Sequence, residues 1–203
     1  MQLIDRFLKT LFGWMLVPDP KKLEKASAIY VPAVGVKKDE GRLVRVGEKC
    51  MSAAIDLYWR GVAPLLILSN AYLAFWEEEW ELKLERTDAA EIPREALVSL
   101  RPDPTQRFTS SNSETKWLGE VIRERCLRNI VVVNEEWHMM RTLRMLERLY
   151  PGVKFQPLNV RGARLEAHKA FPRIKGYTTC EGLWQLENII LTFRLWLNRA
   201  RGT

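Results

Sequence analysis

A chain of 203 residues with 47% hydrophobic and 28% charged residues is long enough to fill one core and too ordinary in composition for a disordered or fibrous protein. Its 32 basic and 25 acidic residues leave a formal charge of +7, and the excess lies late: from Arg141 onward twelve Lys or Arg face four Glu. Such an excess suits an anionic lipid surface or nucleic acid, although a solvated basic face needs neither, and no specific nucleic-acid partner is expected.

In residues 3–17, Leu3, Ile4, Phe7, Leu8, Leu11 and Phe12 recur at helical spacing with Asp5, Arg6 and Lys9 opposite, which predicts an amphipathic helix within an N-terminal segment 1–20. The same charges break the continuous apolar core that a signal peptide needs, and no later stretch offers about 18 uninterrupted apolar residues. The expected location is therefore cytoplasmic or peripherally membrane-associated. Cys50, Cys126 and Cys180 have no chelating spacing, and an odd number cannot all pair within one chain, so reduced thiols are expected.

From residue 27 apolar runs of strand length alternate with segments of helical period. The first strand is Ala28–Val31, followed by a helix over 41–59 with Val46, Cys50, Ala53, Ala54 and Leu57 inward. Pro64–Ser69 is the second strand, 74–90 an acidic helix, Ala96–Leu100 the third strand, and a polar loop then leads into a helix through about Arg125. The fourth strand, Asn129–Val133, is apolar enough to be buried on both faces; a helix over 135–150 and a fifth strand over 153–158 follow. This alternation predicts right-handed crossovers and a parallel sheet, with the strand order left open. A basic extension, 161–203, carries a last helix over 183–201 with Leu186, Ile189, Ile190, Phe193 and Leu197 inward. Both terminal helices are expected to cap the sheet or, with Trp14, Trp184 and Trp196, to touch a membrane.

Open α/β sheets bind ligands at the carboxyl ends of their strands, so the segments after each strand carry the candidate chemistry. Arg42 and Arg45 fall in the opening turn of the 41–59 helix, where a cation opposes the helix dipole unless an anion is near. Ser69-Asn70 ends the second strand. Ser111-Asn112-Ser113-Glu114 matches a capping box, and a helix start facing the crevice also offers free N–H groups to an anion. His138 and Arg141, three apart on one helix, share a face where they would grip a phosphoryl or carboxylate oxygen with His138 as acid or base. Among Glu77, Glu78, Glu79 and Glu81 most belong to a solvated face. No Gly-rich dinucleotide fingerprint, phosphate-binding loop, nucleophile elbow or metal-ligand spacing is present, and no cofactor is indicated.

The order of these motifs resembles the YdcF-like domain of unknown function, the family of SanA-like and ElyC-like bacterial envelope proteins. The resemblance covers about 27–160 and runs through Arg42/Arg45, Leu57-Tyr58-Trp59-Arg60-Gly61, Leu68-Ser69-Asn70, Glu79 ahead of Pro93, Ser110-Ser111-Asn112-Ser113 and Val133 to Thr142 around His138-Met139-Met140-Arg141. The chain departs from the pattern at Pro32-Ala33-Val34-Gly35, where the family is richer in Gly, at Asn70 in place of Gly, at Ser113 in place of Thr, and at Asn134-Glu135 in place of Thr-Ser. The resemblance implies a three-layer, doubly wound, Rossmann-like α/β domain of about five mainly parallel strands. It also implies a small anionic or nucleotide-like ligand such as S-adenosylmethionine, and a link to cell-envelope biogenesis.

The residues it carries over are Arg45, Ser69, Glu79, Ser111, Asn112, His138 and Arg141. Arg45 and Arg141 would pair with the anion, Ser69 and Asn112 would orient it, and His138 would shuttle a proton. Two other readings compete: a phosphoester or pyrophosphate hydrolase in which Glu79 and His138 position water, and a non-enzymatic envelope-associated protein using its basic C-terminal third.

Overall fold

A computed structural model describes residues 2–37, 40–70, 76–100, 111–161 and, further on, 189, 190, 192 and 193; side chains at 2–6, 14, 76–78 and 111–113 lie outside this description. The main sheet is built from β1 (Ala28–Val31), β4 (Leu66–Ser69), β5 (Leu97–Leu100), β6 (Asn129–Glu135) and β7 (Lys154–Val160), all parallel, in the order β5-β4-β1-β6-β7. Taken in chain order, the chain steps outward from β1 through β4 to β5 and returns to the other side of β1 for β6 and β7. This is the Rossmann-like, doubly wound arrangement, and the strand order reverses between β1 and β6.

Alternation along the strands divides the core. Ile29, Val31, Leu66, Leu68, Val131 and Val133 face α2 (Arg45–Trp59), which contributes Cys50, Met51, Ala54 and Leu57, while α3 (Trp76–Ala89) adds Trp80 and Leu82 at the margin. Ala28, Tyr30, Ile67, Ile130 and Val132 face α4 (Ser111–Glu124) and α5 (Glu136–Leu149), which contribute Leu118, Ile122, Met139, Leu143 and Leu146. Each fully buried Leu, Ile or Val supplies about 1.5–3 kcal/mol. Pro157 sits in β7, an edge strand, where a missing N–H leaves no ladder bond broken on the outer side.

Helix α2 ends in a left-handed residue, Gly61 at φ +64°, with the Val62 amide bonded back to Leu57 at 2.9 Å. That geometry accounts for the Leu57-Tyr58-Trp59-Arg60-Gly61 motif. The ends of α3 and α4 repeat it with Glu91 and Cys126 in the left-handed region, followed by Ile92 and Leu127 bonded back to Thr87 and Ile122.

Several expectations are corrected. Arg42 is not in a helix: with Leu43 it forms β3 (Arg42–Leu43), antiparallel to β2 (Val36–Lys37), and its guanidinium is engaged by Glu40 at 2.6 Å. Only Arg45 lies at the start of α2, which is four residues shorter than expected because the hairpin takes them. Strand β6 runs on through Asn134 and Glu135 because β7 pairs with both, through Asn159 and Val160.

Of the described apolar residues in the two terminal segments, only some are buried. In α1 (Gln2–Phe12) Leu8 is buried and Phe12 partly so, while Phe7 is 61% and Leu11 48% exposed. Of residues 189, 190, 192 and 193, Ile189 and Thr192 are buried, while Ile190 and Phe193 are exposed. The physical reason is shared. Leu8, Met15, Ile189, Trp137 and Met140 form one small cluster on α5, and it accepts one row from each helix. The rest of the expected helix 183–201, with Trp184, Leu186, Trp196 and Leu197, lies outside the described residues. Among the described residues no helix is long and apolar enough to cross a membrane.

Candidate functional site

The strand order reverses between β1 and β6, and polar side chains concentrate at the carboxyl end of the sheet there. Ser69, Asn70, Glu79, Lys83 and Asn134 are all fully buried.

The segment after β1 is held by two carboxylates. Glu79 of α3 accepts from the Val34 amide at 3.2 Å, and Glu114 of α4 accepts from the Ala33 amide at 3.0 Å and from the Tyr30 hydroxyl at 2.5 Å. The backbone donors that a Gly-rich first turn would offer to a phosphate are thus occupied by the protein's own acids. Glu114, expected to complete a capping box, reaches across to β1. Burial raises its pKa despite the opposing bonds from Tyr30 and Ala33, and burial with the neighbouring Glu114 charge keeps the Tyr30 phenol protonated.

Glu79 is not on a solvated face. It pairs with Lys83 at 2.8 Å, both side chains wholly buried, and the Lys83 ammonium also donates to the Ser69 carbonyl. The inner row of α3 is therefore polar: Glu79, Lys83 and Thr87, at i, i+4 and i+8, are all buried. The Ser69 hydroxyl lies near enough to Tyr30 and Glu114 to lower the pKa of each, yet completes no well-formed hydrogen bond among the described residues.

On the other side of the reversal, Glu135 ends β6 and caps α5, accepting from the amides of Trp137 at 2.9 Å and His138 at 3.1 Å. Burial pushes its pKa up to about 8 against those favourable bonds. The α5 N-terminus is thus served by its own cap. Asn134 donates to Thr142 at 3.1 Å and accepts from the Glu135 amide, which fixes the strand-to-helix turn.

His138 and Arg141 meet as their spacing predicted: Arg141 Nη2 lies 2.9 Å from His138 Nε2. A guanidinium only donates, so Nε2 accepts and the ring carries its proton on Nδ1. Burial, followed by the adjacent Arg141 charge, holds the His138 pKa well below 6.5. The ring is therefore neutral, and proton transfer at Nε2 requires Arg141 to be drawn off first.

Arg45 is exposed at the first residue of α2. Ser111 and Asn112 are the first residues of α4, at the end from which Glu114 reaches β1, but their side chains lie outside the described residues. The sheet thus brings Ser69, Glu79, His138 and Arg141 to its carboxyl end, with Arg45 at the start of a flanking helix. Sequence reasoning missed Tyr30 and Lys83. A signal for Lys83 was available, because Glu79 and Lys83 stand four apart with the acid first, a favourable helical pairing.

Among the described residues no group of three or more His, Cys, Asp or Glu could hold a metal ion. Cys50 is an inert core thiol, since burial pushes its pKa up to about 12. Comparison of the chain with models of protein families, with curated proteins and with solved structures found no match.

Proposed function

We propose that this chain binds a small anionic or nucleotide-like molecule, in the class of S-adenosylmethionine, at the carboxyl ends of β1, β4 and β6. We further propose the role in bacterial cell-envelope biogenesis that the YdcF-like resemblance implies. The observation that carries the binding reading is the buried polar constellation at the point where the strand order reverses: Ser69, Asn70, Glu79–Lys83 and Tyr30–Glu114. Burying so many polar groups costs more than filling the same volume with apolar side chains, and a scaffold alone does not require it. Arg141 supplies the positive charge for the anionic part, and His138 beside it is the proton-carrying group. The reading is of binding, and no reaction is assigned. Thermal shift and calorimetry with S-adenosylmethionine, nucleoside monophosphates, sugar nucleotides and inorganic phosphate test it. A ligand at a hundredfold its Kd stabilises by about 2.7 kcal/mol. No shift with any of these at millimolar concentration overturns the reading.

A peripheral membrane contact is a second reading, supported by the exposed rows Phe7/Leu11 and Ile190/Phe193, which flank one packed cluster. With a net charge of +7 the surface it meets would be an anionic bilayer. Sedimentation with phosphatidylglycerol-containing vesicles, and not with neutral phosphatidylcholine vesicles, is expected. Phe7→Asp with Leu11→Asp should abolish it, and unchanged sedimentation of that variant rejects the contact.

A further inference from the structure

At the carboxyl end of the sheet Ser69 Oγ and both polar atoms of the Asn70 amide are buried without a hydrogen-bond partner among the described residues, and Asn70 lacks a partner at two atoms. Lys83 is satisfied by Glu79 and the Ser69 carbonyl, Glu79 by the Val34 amide as well, Glu114 by Tyr30 and Ala33, and Asn134 by Thr142 and the Glu135 amide. Asn70, immediately after β4 and fully buried, has no hydrogen-bond partner for either its Nδ2 or its Oδ1 among the described residues. An unsatisfied buried polar group destabilises the fold, whereas an apolar residue of the same shape carries no such cost. The Glu79, Lys83, Glu114 and Asn134 side chains are matched within the protein, while Asn70 presents an unmatched donor and acceptor side by side in one plane.

We infer that Asn70 reads the edge of a nucleobase, its Nδ2–H donating to a ring acceptor and its Oδ1 accepting from an adjacent N–H. The inference rests on the nucleotide-like reading above and names the part of the ligand that β4 recognises. A phosphate or carboxylate does not fit this role, because it accepts only and leaves Oδ1 unpaired. Bringing a full negative charge into this wholly buried position would also be costly. A base edge offers the complementary donor–acceptor pair, as in the bidentate pairing of Asn with adenine, and is far cheaper to desolvate. The charged end of the ligand then lies toward Arg141, across the reversal of strand order, and the base lies toward β4.

The experiment compares AMP, GMP, CMP and UMP with ribose 5-phosphate, by calorimetry on the full chain and on Asn70→Leu and Asn70→Asp. At least one nucleotide is expected to bind the unaltered chain, with its Kd rising at least tenfold in both variants while that of ribose 5-phosphate changes less than twofold. Apo Asn70→Leu is expected to melt no lower than the unaltered chain, since it removes two unpaired polar atoms. If nucleotide and ribose 5-phosphate weaken equally, the amide reads sugar or phosphate and the base assignment is wrong. If nucleotide affinity is unchanged in both variants, Asn70 is not in contact with the ligand, while the binding reading stands. If Asn70→Leu melts lower and Asn70→Asp keeps its affinity, the amide is structural. If none of the four nucleotides binds the unaltered chain, the inference falls; ribose 5-phosphate binding alone would still leave an anion site.

Discussion

Lys83 Nζ lies 2.8 Å from the Glu79 carboxylate, one helical turn away on α3, with both side chains wholly buried. Removing one partner leaves the other charged and desolvated. Glu79→Gln and Lys83→Met are therefore each expected to cost about 3–5 kcal/mol, whereas the double variant should lose much less than the sum. Urea denaturation of the four proteins measures this. Losses that add within about 0.5 kcal/mol would mean that the two groups do not depend on each other. The pairing also bears on the hydrolase alternative: a carboxylate held by Lys83 and the Val34 amide is a positioning group for the segment after β1.

Gly119 in α4 faces the ring of Tyr150, and a Cβ built there would overlap the Tyr150 hydroxyl and ring carbons. Tyr150 in turn donates to the Thr115 carbonyl at 2.8 Å, tying the end of α5 to α4. Ala gains up to about 1 kcal/mol over Gly in a helix interior, so Gly119→Ala would stabilise if space allowed. Here it is expected to destabilise by about 1–3 kcal/mol, because the ring must swing out and surrender its bond. In a Tyr150→Ala background the same change is expected to become stabilising. The melting temperatures of the four proteins decide it, and a Gly119→Ala that stabilises the unaltered chain contradicts the contact.

The layered α/β fold was legible because β1, β4 and β6 are apolar on both faces and helical segments separate them. The strand order was not, since it depends on which edge each crossover chooses. Asn134 and Glu135 were read out of β6 because polarity, not pairing, marked its end. That the row Glu79, Lys83 and Thr87 of α3 faces inward did not show in the hydrophobic pattern for a related reason: with that row inward, the apolar residues no longer point to the core, although the spacing of Glu79 and Lys83 marked them as a pair. His138 and Arg141 came through because i, i+3 spacing fixes their neighbourhood whatever surrounds the helix.

That neighbourhood predicts how the histidine titrates. Burial is the larger cause of its lowered pKa and Arg141 the smaller. Arg141→Ala is expected to move the His138 pKa upward while leaving it under 6.5, and an NMR titration of the ring protons follows it. If both residues grip one anion, their effects on its binding are non-additive in a double-mutant cycle, by about 0.5–3 kcal/mol. A His138 pKa unmoved by the loss of Arg141 would place the guanidinium elsewhere in solution.

Glu135 and His138 act on stability in opposite directions with pH. A folded-state pKa near 8 against 4.5 for the unfolded carboxyl means that the folded chain holds the extra proton between those values. The contribution of Glu135 is therefore complete below 4.5 and is lost as pH rises through about 8. His138, whose folded pKa lies well below 6.5, contributes fully above 6.5, and that part is lost as pH falls. Between 4.5 and 6.5 the two oppose each other. Above 6.5 the slope from Glu135 remains. Stability to urea is expected to fall from pH 6.5 to 8.5 in the unaltered chain and to fall less steeply in Glu135→Gln, which keeps an oxygen to accept from the Trp137 and His138 amides. His138→Gln should leave the slope above pH 6.5 unchanged and flatten the loss on acidification. Equal slopes in the unaltered chain and Glu135→Gln would show that the capping carboxyl is already ionised at neutral pH, and that solvent reaches the start of α5.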